Sequence, residues 1–110
     1  MNNDGQVYLL HFDSPISPNH TTQHYVGWAK ELGSRIQAHR CGRGARLTEV
    51  ALERGIGFTV VRVWRGDRHL ERRIKNRKDA PTLCPACNPG NGRGRYGDEL
   101  GSDEIGQIVA

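Results

Sequence analysis

His24-Tyr25-Val26-Gly27-Trp28-Ala29-Lys30-Glu31-Leu32-Gly33-Ser34-Arg35-Ile36-Gln37-Ala38-His39 changes its hydrophobic period part-way along. The first five residues are aromatic or β-branched around one glycine, which suits a short strand. Beyond Ala29 the spacing becomes helical. Leu32 and Ile36 share one face, and Arg35 and His39 stack one turn apart on a neighbouring face. Gly27 lets a backbone or a ligand come close beside Tyr25. Taken alone, the segment has an ordinary explanation: helical Arg and His residues are mostly solvated, and strand tyrosines mostly pack.

On the N-terminal side, Val7-Tyr8-Leu9-Leu10-His11-Phe12 is a nearly continuous apolar run, as expected of a central strand covered on both faces. Asp13 to Gln23, with Pro15, Pro18 and Asn19, reads as a loop. A long-looped hairpin would then set Tyr8 and Tyr25 on neighbouring strands. On the C-terminal side, Cys41-Gly42-Arg43-Gly44 ends the helix, because glycine takes the left-handed cap conformation. Arg46 to Arg54 is a second short helix, stopped by Gly55 and Gly57. Phe58 to Arg65 is a third strand, with Thr59, Val61 and Val63 alternating against Phe58, Val60, Arg62 and Trp64. Asp67 is a good N-cap for a third helix whose buried stripe is Leu70 and Ile74. Glu71 stands in that helix among Arg68, Arg72, Arg73, Lys75, Arg77 and Lys78. Dipole balance and an i,i+4 pair with Lys75 explain it adequately by themselves.

With 110 residues, 35% of them apolar, the chain has room for one modest core. It has no apolar run approaching the ~20 residues that span a bilayer, nor a signal pattern, so the expected location is cytoplasmic. The charge is unevenly placed: residues 1–27 carry −2, residues 28–78 carry +9, and residues 79–110 carry −3. Of the 16 cations, 13 are arginines, whose fork suits phosphate. Confinement of that charge to one segment points to a polyanion, of which nucleic acid is the commonest.

Pro81 closes the domain, and residues 79–87 form a Cys-x-x-Cys segment containing Cys84 and Cys87. Three cysteines, two of them closely spaced, argue against a disulfide scaffold. Tetrahedral zinc needs four ligands, and the spacing supplies two; Cys41 and a histidine would have to complete the set. Free thiols are therefore the expectation. In residues 88–110 six of 23 positions are glycine, interspersed with acids, which reads as a disordered tail.

The order strand, strand, helix, helix, strand, helix, with a tyrosine on each of the first two strands, resembles the GIY-YIG nuclease domain over residues 6–78. Tyr25-Val26-Gly27 stands at the second signature tripeptide, and Gln6-Val7-Tyr8 at the first, where only the tyrosine is kept. Arg35, His39 and Glu71 match the arginine, histidine and metal-holding glutamate. The loop between the tyrosines is long for the family, and the asparagine often found beyond the glutamate has no clear counterpart. The resemblance implies an α+β fold, a small three-stranded antiparallel sheet flanked by three helices. It further implies metal-dependent endonucleolytic hydrolysis of DNA phosphodiester bonds. Glu71 would hold Mg²⁺ or Mn²⁺, and Arg35 would face the non-bridging oxygens. Tyr8 would act as general base, a phenol of pKa ~10 needing help from neighbouring charge. Tyr25 would orient phosphate or water, and His39 would relay a proton. Lys30, Arg40, Arg43, Arg46 and Arg72 would contact the nucleic acid. RNA offers the same phosphates, and so small a domain leaves room for a protein partner in targeting. The competing reading is a catalytically inactive nucleic-acid-binding module of the same fold.

Overall fold

In a computed structural model the described residues are 5–18, 22–78, 80–88 and 99–109. The order of elements is β1 (Gly5–Phe12), β2 (His24–Ala29), α1 (Leu32–Arg40), α2 (Arg46–Glu53), β3 (Phe58–Gly66), α3 (Arg68–Arg77), α4 (Ala80–Leu83) and α5 (Ser102–Val109). The strands form an antiparallel sheet in the order β2-β1-β3. The apolar first strand is thus central, and both its faces are covered. Val7 and Leu9 pack with Leu70, Ile74 and Leu83 from α3 and α4. Tyr8 and Leu10 pack with Leu32 and Ile36 of α1, with Ile105 and Ile108 of α5 beside them. No helix among the described residues is long and apolar enough to cross a membrane.

The local rules behind the helix ends hold. Asp67 Oδ1 accepts from the His69 and Leu70 N–H groups at 3.0 and 3.2 Å, satisfying two orphan donors of α3. Gly42, with φ +78°, follows the last turn of α1.

Two expectations need correction. The alternation of β3 is broken by a bulge: Leu9 pairs with Arg62 and Leu10 with Val60, leaving Val61 as the extra residue. Val60 and Val63 therefore share one face, while Val61 and Trp64 lie on the other. The second correction concerns the expected tail, of which residues 89–98 and 110 lie outside the described residues. Residues 99–109 are not a loose end. Glu99 bridges Trp64, Leu100 N–H donates to the Val63 carbonyl at 2.8 Å, and the Leu100 side chain is buried. Apolar Leu100, Ile105, Ile108 and Val109 give this segment a face to bury despite its glycines and acids. A buried ion pair, Arg62 to Glu99 at 2.6 Å, locks it to β3.

Candidate functional site

The β1–β2 register places Tyr8 opposite Gly27 and Leu10 opposite Tyr25, so both phenols lie on the α1 side of the sheet. A Cβ on Gly27 would fall 2.4 Å from the Tyr8 hydroxyl oxygen. Glycine is required there because the Tyr8 side chain fills the space. His39, on the last turn of α1, completes a cluster of three rings: its centroid is 5.7 Å from Tyr8 and 5.6 Å from Tyr25.

The hydrogen bonds fix a direction through this cluster. Thr48 donates its hydroxyl proton to the Ala45 carbonyl at 2.8 Å, so its oxygen accepts from His39 Nδ1–H at 2.9 Å. Nε2 is then bare, and Tyr8 donates its O–H to it at 2.7 Å. This assigns a neutral imidazole with the proton on Nδ1. Burial, with the Arg35 charge adding to it, pushes His39 down to about 4. Burial pushes the Tyr8 hydroxyl up to about 12, although the neighbouring Arg35 pulls the other way. The Arg35 guanidinium is itself raised, chiefly by its interaction with the Tyr8 hydroxyl.

Tyr8 is 0% and His39 1% exposed, so neither reaches solvent. The expected role of Tyr8 as general base does not fit this geometry: its oxygen is enclosed and its proton is committed to His39. Tyr25 is the phenol that lines open space. It borders a pocket of about 540 Å³ together with Trp28, Lys30, Ser34, Arg35, Arg68 and Glu71, among others. The floor comes from β2 and the walls from α1 and α3. Arg35 Nε, buried beside this pocket, has no hydrogen-bond partner among the described residues. Glu71 pairs with Lys75 at 3.2 Å, as the i,i+4 spacing allows. Lys75 Nζ in turn lies 5.5 Å from the Tyr25 ring centre. The Arg68 guanidinium sits 4.7 Å from the ring centre of Trp28, whose indole N–H donates to the Gly66 carbonyl at 2.9 Å.

Of the residues expected to contact nucleic acid, Lys30 lines the pocket. Arg40 instead stacks 5.4 Å from the Phe58 ring, and Arg46 pairs with Glu49 at 2.7 Å. Arg43 and Arg72 are exposed and are not part of the pocket lining. Sequence reasoning missed Arg68 and Trp28 at the rim, and Thr48 and Gly44 behind His39. A Cβ on Gly44 would fall 2.1 Å from His39 Nδ1.

A magnesium ion would find hard carboxylate oxygens here in Glu71, 17% exposed in its side chain, and in Glu31, which lines the same pocket. That donor set fits an ion that keeps most of its waters. A different set of donors lies elsewhere. His11, His24, Cys84 and Cys87 bring their ligand atoms within 4.8 Å of one another and could hold a metal ion. These are soft and borderline donors, suited to zinc rather than magnesium. Cys41, which would have had to complete a zinc set with Cys84 and Cys87, is exposed at the end of α1 and does not belong to this cluster.

No protein family, curated protein or solved structure was found to match this chain.

Proposed function

We propose that the chain is a metal-dependent endonuclease acting on DNA, built on a GIY-YIG-like domain. The observation that carries this reading is the meeting of Tyr25, Arg35 and Glu71 around one open pocket, with Lys30 and Arg68 also in its lining. Each group suits one part of phosphodiester hydrolysis. Arg35 is oriented by the buried phenol of Tyr8 and offers its remaining donors to a non-bridging phosphate oxygen, where transition-state charge accumulates. Tyr25 contacts phosphate or the attacking water. Arg68, backed by the Trp28 ring, holds an adjacent phosphate or stacks against a base. Glu71 would hold Mg²⁺ or Mn²⁺, which when bound supplies Lewis-acid stabilisation of the developing charge. Tyr8 acts from behind beside Arg35, with His39 holding the Tyr8 hydroxyl in place at 2.7 Å.

Supercoiled plasmid incubated with the protein and Mg²⁺ tests this directly: nicking or linearisation that EDTA abolishes is the expected result. The second reading, a binding module without catalysis, draws on the burial of Tyr8 and His39. It replaces the first if folded protein shifts DNA in a gel and never cuts it across linear, flapped, branched and mismatched substrates. Parallel RNA duplexes decide the nucleic-acid class.

A further inference from the structure

We propose that His11, His24, Cys84 and Cys87 form a closed, structural zinc site, separate from the pocket that contains Glu71. The ligands come from three parts of the chain. His11 is near the end of β1, His24 opens β2, and the two face each other in the strand register. Cys84 and Cys87 follow α4 in a tight turn closed by Asn88 N–H donating to the Cys84 carbonyl at 2.7 Å.

The spacing of the donor atoms matches the ion. Zinc bonds of ~2.05 Å to nitrogen and ~2.3 Å to sulfur, arranged tetrahedrally, require N···N edges of about 3.4 Å and N···S edges of about 3.6 Å. The structure places His11 Nδ1 and His24 Nε2 3.3 Å apart. Cys84 Sγ is 3.5 Å from His11 Nδ1, and Cys87 Sγ is 3.7 Å from His11 Nδ1 and 3.5 Å from His24 Nε2. Four edges of the tetrahedron thus have coordination lengths, from residues up to 76 apart in sequence. Ordinary packing of two imidazoles and two thiols has no reason to converge their lone pairs on one point. The Cys84 side chain is fully buried, so the site is closed on its inner side.

Binding is balanced in charge and protons. Two thiols lose their protons to solvent, two imidazoles bind neutral, and the resulting Zn(S⁻)₂N₂ centre carries no net charge. No position is left for water, so the role is a clamp. It pins the base of the loop between β1 and β2 to the segment after α4.

The test uses the full chain, purified without chelator and analysed for metal. About one zinc per chain is expected. After its removal, added Co²⁺ should give the intense visible bands of a tetrahedral ion and a thiolate charge-transfer band. Cys87→Ser, at an exposed position, should lose the zinc while circular dichroism reports the fold; Cys41→Ser and Glu71→Ala should keep it. Retention in Glu71→Ala separates this site from the nuclease reading, which stands or falls on cleavage. Metal-free folded protein, a Cys84–Cys87 disulfide, an octahedral cobalt spectrum, or zinc lost with Cys41 or Glu71 would each overturn the proposal.

Discussion

The Tyr8 hydroxyl lies 2.7 Å from His39 Nε2 in the interior, although 31 residues separate them in the chain. One strand and one helix are keyed together by a single oxygen. Tyr8→Phe leaves His39 Nε2 without a donor and deprives Arg35 of its phenol partner. The expected cost is about 1–3 kcal/mol in urea unfolding, the range for orphaning a buried polar group. Gly27→Ala should cost a similar amount by overpacking, since its new methyl meets both the hydroxyl and the ring of Tyr8. Wild-type stability in either variant would contradict the enclosed geometry.

Acid should loosen the fold through His39. Its folded value of about 4 lies below the ordinary 6.5, so the unfolded chain binds the proton first. Its contribution is complete above pH 6.5 and fades as pH falls towards 4, by about 3 kcal/mol in all. Tyr8 works at the opposite end: raised from 10 to about 12, it contributes fully below pH 10 and loses that contribution as pH climbs through 12. Urea titrations at pH 7 and 4.5, repeated on His39→Gln, check the acid limb, which should flatten in the variant.

Glu71→Ala separates two roles that share one residue. Loss of the Lys75 pair alone should cost a few tenths of a kcal/mol. If Glu71 holds the catalytic ion, cleavage should fall by orders of magnitude while DNA binding stays equal or tightens, because an acid has left a basic surface. Arg35→Ala should lower the rate roughly 10²–10³-fold and weaken binding as well. A folded Glu71→Ala that cuts at the wild-type rate ends the nuclease assignment.

Glu99→Ala should be among the most damaging changes outside the pocket. It strands Arg62, whose side chain is 7% exposed, without its carboxylate. The expected loss is ~3–5 kcal/mol, typical of breaking one half of a buried pair. Thermal melting checks this, and a shift too small to detect would mean that residues 99–109 do not hold to β3.

The sheet was legible because its signals are local. The apolar run at Val7–Phe12, the change of period after Ala29 and the Asp67 cap each act within a few residues. The His/Cys cluster was not. Only Cys84 and Cys87 carry a spacing; His11 and His24 join them because strand pairing sets them opposite each other, and neither has a neighbour that announces it. Thr48 and Gly44 matter only once the His39 ring is placed between them. The last helix escaped because its three apolar residues, Ile105, Ile108 and Val109, are diluted by glycine and acids, and their use depends on a sheet face made far upstream. Tyr8 and Tyr25 were both visible, but which of them meets solvent follows from the packing of α1.

The central position of β1 also dictates how the chain must be made. Its partners in β3 lie 46 residues away at Phe12–Phe58 and 61 away at Gly5–Gly66. During synthesis β2 emerges early and can zip onto one edge, but the other edge of the most apolar strand stays open until β3 leaves the ribosome. Such distant pairing is slow, and an unpaired apolar edge invites association with other chains. The strand made first is the last to be enclosed, and folding yield should depend on how quickly residues 58–66 arrive.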